Sequence, residues 1–258
     1  MIAVLLKTLQ VQQSSLPQTK IQQSGDRSYV FVVADGMGGR AGGEEASALA
    51  IGTVESFILG TFKWFAQFQG ADHDRVLNDF RRALAQAHAR VLAEGAEHAE
   101  LRGMGTTLTL AYSLNDVLFV AHVGDSRCYL RRNGELFRLT HDHTYVEEMV
   151  RRGELTAEEA TRHRLRHIIT NTVGCDPKDV KVEVHKLSLD NGDRLLLCSD
   201  GLTEMLADKA INEALAAEVE PQQACRRLVD GANAAGGRDN ITVIVADYRM
   251  LDQEPGVA

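Results

Sequence analysis

Apolar residues follow two rhythms along this chain. Residues 29–34 (YVFVVA) form a continuous apolar, β-branched-rich run, the pattern of a strand covered on both faces. The run stops on Asp35, and Gly36, Gly38 and Gly39 follow around Met37. From 43 to 59 the spacing becomes helical, with Ala46, Leu49, Ala50, Val54, Phe57 and Ile58 on one face. Glu44 and Glu45 sit in the first turn, where the helix dipole favours them, and Gly60 is the expected stop. The aromatic stretch 61–68, with Phe62, Trp64, Phe65 and Phe68, reads as a helix connection tucked onto the core. Residues 72–102 predict a second, longer helix with Val76, Phe80, Leu84, Ala87 and Val91 on one face.

The period then drops to two. Residues 106–112, 117–123 and 127–131 predict successive strands, with a turn at Asn115-Asp116 and a hairpin at Asn133-Gly134. Residues 141–170 are charged, helix-prone and poor in large apolar side chains, so they predict a surface excursion. Strands resume at 180–187 and 194–198, helices follow at 208–217 and 221–235, and 241–248 is the last strand. Residues 1–28 are Gln/Ser-rich after an apolar start and predict an irregular or partly disordered tail with one short strand at its beginning. Antiparallel runs with helices set apart from them indicate an α+β fold. A central antiparallel β-sandwich flanked by helices on both sides, in four αββα layers, accommodates every segment.

Composition narrows the function. A chain of 258 residues can bury a substantial core. Its charge of −8 argues against nonspecific nucleic-acid binding as the main activity. Cys128, Cys175, Cys198 and Cys225 are too far apart for zinc-finger or redox spacing. They read as free thiols, which fits a cytoplasmic location. No stretch approaches a membrane span.

Four aspartates stand at strand edges beside glycine: Asp35 before Gly36, Asp125 after Gly124, Asp200 before Gly201, and Asp239 just after Gly237. A single such Asp is more often a turn former or a helix cap. Four of them at the ends of strands of one core could converge, and converging carboxylates repel unless a cation neutralises them. Hard oxygen ligands select Mg²⁺ or Mn²⁺ over zinc. His141-Asp142-His143 could seed a zinc site, but no third ligand is apparent, and a solvated or substrate-facing loop is the stronger reading. The chain has no Gly-x-Ser-x-Gly elbow and no Walker-type phosphate loop.

Taken in order, Asp35-Gly36-Met37-Gly38-Gly39, Gly103-Met104-Gly105-Thr106-Thr107, Val123-Gly124-Asp125-Ser126-Arg127, Ser199-Asp200-Gly201-Leu202 and Gly237-Arg238-Asp239-Asn240 resemble the metal-dependent Ser/Thr protein phosphatases of the protein phosphatase 2C type, in particular the compact bacterial members. The resemblance implies a phosphatase domain over 29–248 with a flap at about 141–170, between an N-terminal tail (1–28) and a C-terminal tail (249–258). It implies two Mn²⁺ or Mg²⁺ ions and a weaker third. Asp35 would bridge two ions with the Gly36 carbonyl as a further ligand, Asp200 and Asp239 would complete the first metal's shell, and Asp125 with Asp200 would form the third site. It implies hydrolysis of phosphoserine and phosphothreonine in proteins by a metal-activated water, without a covalent intermediate. The substrate would be the product of a Ser/Thr kinase, and the protein a monomer with no nucleic-acid or membrane partner. Some relatives carry a histidine where Met37 stands, a candidate general acid that Met37 cannot replace. The family's upstream Arg followed by an acidic pair is not found in residues 1–34, whose only Arg is Arg27 and whose only acid is Asp26. A second class of function is therefore carried as an alternative, a metal-retaining pseudophosphatase that binds phosphoproteins with weak or no turnover.

Overall fold

The computed structural model describes residues 2–6, 28–65 and 73–249. In chain order the elements are β1 (Ile2–Leu6), β2 (Ser28–Val33), β3 (Gly36–Met37), α1 (Gly39–Phe65), α2 (His73–Glu97), β4 (Gly105–Thr106), β5 (Leu108–Leu114), β6 (Val117–Val123), β7 (Arg127–Arg132) and β8 (Glu135–Arg138). They continue with α3 (Tyr145–Arg151), α4 (Ala157–Arg162), β9 (Val173–Gly174), β10 (Glu183–Ser188), β11 (Arg194–Cys198), α5 (Asp200–Thr203), α6 (Asp208–Ala217), α7 (Pro221–Ala234) and β12 (Val243–Asp247). One sheet runs β1-β2-β5-β6-β10, a second β12-β11-β7-β8, and a small third β3-β4-β9. The ladders that join neighbouring strands are antiparallel.

The apolar runs explain the layers. Leu195 and Leu197 of β11 face the space between the two large sheets, where Val33, Ala111, Leu118 and Val120 meet them. Leu196 and Cys198 point the other way, onto Ile211, Leu215 and Leu228 of α6 and α7. On the far side, Val30, Val32, Leu108, Leu110 and Phe119 pack against Ala50, Val54, Phe80 and Leu84 of α1 and α2. Strands buried on both faces need no polar alternation, which is why β2 and β11 read as unbroken apolar runs. The layers are helices, sheet, sheet, helices, as the sequence predicts.

Three expectations are corrected. α1 runs from Gly39 through Gly60 to Phe65 and does not stop at Gly60. An isolated glycine costs a helix only about 1 kcal/mol, less than the packing of Val54 and Ile58 a turn earlier can contribute. Phe62, Trp64 and Phe65 thus belong to the last turns of a helix, not to a connection; Phe68 lies outside the described residues. α2 ends at Glu97 and a 3-10 turn, Ala99–Leu101, follows it. The strand expected over 106–112 is broken at Thr107, whose N–H donates to the Asp35 carbonyl (2.8 Å) and so leaves the ladder.

Candidate metal centre

Topology alone gathers the acidic residues at one end of the sandwich. β2 and β6 are both antiparallel to β5, so their C-terminal ends, followed by Asp35 and Asp125, lie on the same side. Cys198 at the end of β11 pairs with Arg127 at the start of β7 and with Val243 at the start of β12. Asp200 and Asp239 therefore flank that same edge of the second sheet. The segment Gly124–Ser126 crosses from one sheet to the other and ties the two edges together.

Backbone contacts fix each carboxylate's base. The Asp35 N–H donates to Thr107 Oγ1 (3.0 Å), and Thr106 Oγ1 donates to the Asp35 carbonyl (2.9 Å). Thr107 Oγ1 and Ser126 Oγ are 2.8 Å apart, which links the Asp35 turn to the Asp125 turn. A Cβ at Gly36 would sit 1.8 Å from the Gly43 carbonyl oxygen, so only glycine lets the Asp35 turn lie on the first turn of α1. On the other sheet, Ser199 Oγ donates to the Asn240 carbonyl (3.1 Å) and accepts from the Thr242 N–H (3.1 Å). A Cβ at Gly201 would come within 2.3 Å of that Asn240 carbonyl. The loops carrying Asp200 and Asp239 are clasped this closely because the residue after Asp200 has no side chain.

The electrostatics record the convergence. Burial pushes the Asp200 carboxyl up to about 8, with repulsion from Asp125 and Asp35 adding to it. Asp125 is pushed up to about 7 by burial, then by Asp142 and Asp35. Burial also raises Asp35, an effect partly offset by its contact with the Asp200 carboxyl and reinforced by Asp239. Asp200 Oδ1 is buried and has no hydrogen-bond partner. Asp200 thus stands at the centre of the group and feels Asp35, Asp125 and Asp239 at one end of the molecule. Mutually repelling carboxylates with an orphaned buried oxygen fit a divalent cation with oxygen ligands. No three of them, among the described residues, bring their oxygens as close as 4.8 Å to one another. The Gly36 carbonyl lies in the β3 turn, where a Cβ at Gly43 would meet it at 2.6 Å.

Beside this end lies a cavity of 1070 Å³ whose walls include Met37, His143, Glu147, Arg151, Asn171 and Lys181. Residues 141–170 form one side of it through α3 and its flanking loops. They are held at their root, where the Tyr145 N–H donates to the Ile168 carbonyl (2.8 Å) and the Thr170 N–H to the His143 carbonyl (2.8 Å). Arg127 anchors the same root by a forked contact to Asp142 (2.9 and 2.6 Å). Thr106, Thr107, Ser126, Ser199 and the Arg127–Asp142 pair are positioning residues that motif reading left without a role. For the hydroxyl residues the signal was present in three of the five glycine motifs, as Thr106-Thr107, Ser126 and Ser199. Arg27 and Asp26, the only candidates for an upstream motif, lie outside the described residues.

The whole-chain comparisons agree with the fold. Residues 12–234 match the family model described as protein phosphatase 2C. A serine/threonine phosphatase, stp, of Listeria monocytogenes is 32% identical over 232 residues, spanning 90% of this chain and 89% of that one. The crystal structure of the serine/threonine phosphatase PstP of Mycobacterium tuberculosis superposes with a TM-score of 0.76 at 33% identity, covering 97% of this chain and 99% of that one. A structure of the PstP catalytic domain in complex with two manganese ions has a TM-score of 0.71 at 32% identity, covering 96% and 97%. The chain belongs to the protein phosphatase 2C family of metal-dependent serine/threonine phosphatases.

Proposed function

We propose that this phosphatase hydrolyses phosphoserine and phosphothreonine in proteins by water attack, with Asp35, Asp200 and Asp239 carrying the reaction by holding two Mn²⁺ or Mg²⁺ ions. The observation that carries the assignment is the orphaned, buried Asp200 Oδ1 among three other carboxylates. Asp35 would hold both ions, with the Gly36 carbonyl as a further ligand, and Asp200 and Asp239 would complete the set of ligands around the first ion. Asp125 with Asp200 is proposed as a weaker third site. The two manganese ions in the PstP complex support a pair of ions here. When bound, the ions supply a water acidic enough to attack at neutral pH and offset charge on the phosphoryl oxygens.

The chain's own residues prepare that chemistry. Thr106 and Thr107 hold the Asp35 backbone still, and the Ser199 clasp fixes the spacing between the Asp200 and Asp239 loops. Met37 has no proton to give, so the leaving alkoxide takes its proton from water. No side-chain nucleophile is assigned, and no phosphoenzyme forms.

The catalytic unit is proposed to be 29–248, with 1–28 and 249–258 as tails, and 141–170 as the flap that shapes access for the phosphoprotein. The protein is proposed to act as a cytoplasmic monomer on products of a Ser/Thr kinase, without nucleic-acid or membrane partners. Among the described residues no helix is long and apolar enough to cross a membrane. The relatives named as phosphatases favour turnover over the pseudophosphatase alternative. The test is phosphate release from a phosphothreonine peptide across a Mn²⁺ titration, for the parent and Asp239→Ala. Loss of outer-shell partners of a metal commonly costs roughly 10–100-fold, so loss of a direct ligand should cost at least that much. Equal rates for the two proteins at every Mn²⁺ level would overturn the assignment.

A further inference from the structure

Away from the four aspartates, a second set of ligating side chains meets at the root of residues 141–170. Glu183 opens β10 and His185 follows two positions later, so both leave the strand on the same face. His141 reaches them from the loop after β8. Its Nδ1 lies 2.9 Å from Glu183 Oε1, and His185 Nε2 contacts that same oxygen. The three ligand atoms lie within 4.8 Å of one another. Among the described residues, both groups of three metal-ligating side chains that close to this distance are built on Glu183.

The hydrogen bonds decide which group is free to bind. His122 is fully buried, and both its nitrogens are occupied. Nδ1 meets Thr109 Oγ1 (2.9 Å), while Nε2 meets the carbonyls of Gly124 and His141 (3.0 Å each). Two carbonyl partners require the hydrogen on Nε2. His143 Nδ1 accepts from the Gly124 N–H (3.1 Å), so its hydrogen sits on Nε2, which faces Glu183 Oε2 at 3.6 Å. His143 thereby orients the carboxylate from behind, as outer partners of metal ligands do. Oε1 and the two outer imidazoles remain. His141 is 54% exposed and His185 36% exposed, so an ion can reach them from solvent. Burial would raise the Glu183 carboxyl, but contacts with His143, His185 and His141 outweigh it and hold the group ionised.

We propose that His141, Glu183 and His185 form an additional metal site that takes Zn²⁺, with three protein ligands and one open position. Two imidazoles and a carboxylate select zinc or a similar borderline cation, whereas the all-oxygen aspartate centre selects Mg²⁺ or Mn²⁺. An ion there joins the start of the flap, at His141, to β10 of the five-stranded sheet. The His141-Asp142-His143 segment thus finds partners, through His141, 42 residues downstream.

The test uses the full chain carrying Asp35→Asn and Asp200→Asn, which removes zinc competition at the aspartate centre. Zn²⁺ is titrated calorimetrically into this protein and into versions that add His141→Ala or His185→Ala. The expected result is about one zinc per chain, weakened by at least tenfold in each histidine variant. Metal-free melting curves are recorded beside the titrations: each variant loses a contact to Glu183 and should melt somewhat below the background while keeping one cooperative transition, so that lost zinc binding is read on a folded protein. Co²⁺ in place of zinc gives a second readout: the visible absorption of a low-coordinate, imidazole-bound cobalt should be present in the background and absent in His185→Ala. No zinc binding in the background, or binding unchanged by either histidine substitution, overturns the site. Phosphatase activity is not the readout, so this outcome is independent of the proposed catalytic function.

Discussion

His122 carries a testable consequence at the scale of one side chain. It is fully buried, and burial first, then repulsion from His143, push its pKa down to about 4 from the usual 6.5. Glu183 and Asp142 act in the opposite direction without reversing the shift. The imidazole is therefore neutral in the fold at pH values where the unfolded chain has already bound a proton. Between about 6.5 and 4 the unfolded state holds more protons, so stability falls as pH falls through that window. Integrated from pH 7 to pH 5, the loss attributable to this group is about 2 kcal/mol. Denaturant unfolding of the parent and of His122→Gln at both pH values isolates it, because the other titrating groups are common to the two proteins. The Gln variant should lose about 2 kcal/mol less across the interval. Parallel pH profiles would show that the ring is not held neutral.

At the scale of elements, the contact between the Asp200 and Asp239 loops is the most sensitive joint. Gly201→Ala places a methyl 2.3 Å from the Asn240 carbonyl. Neither backbone can give way without moving a carboxylate. The expected cost is about 1–3 kcal/mol in stability, together with a rise of roughly tenfold in the Mn²⁺ needed for half-maximal activity. An unchanged Mn²⁺ midpoint would mean that the clasp does not set the carboxylate spacing. Elements of this kind were unevenly legible in the sequence. β6, β11 and α6 fall on the residues their patterns predict, because each is five or more residues long and shows either a sustained apolar run or a clear helical period. β3, β4 and β9 have two residues each, too few to carry a period, yet they set the turn that follows Asp35. The aspartates were visible through the repeated placement of Asp beside Gly at strand edges. Their supports were not, since Thr107 and Ser199 bond across separations of 72 and 41 residues. The histidine pair at 141 and 143 was legible, but its partner glutamate was not. The alternation of Glu183 and His185 on one strand face was the available signal.

For the whole molecule, the sandwich and its site pull in opposite directions. Three apolar clusters hold the sheets and helices rigidly in register. That rigidity forces Asp35, Asp125, Asp200 and Asp239 together although burial and mutual repulsion raise three of them. Conflict between local preference and the global fold is expected where a fold carries function. It predicts an exchange of stability order. In EDTA at pH 8, Asp200→Asn should melt above the parent, because an amide removes one repelling charge and can donate to a neighbouring carboxylate. A gain of at least 1 kcal/mol corresponds to about 2–4 °C for a chain of this size. In saturating Mn²⁺ the order should reverse, since an ion that binds only the folded protein stabilises the parent through a ligand the variant lacks. A variant that melts below the parent in both conditions would place the Asp200 carboxylate among the groups that hold the fold together, and would remove the argument that the sandwich holds it in place for the sake of a cation.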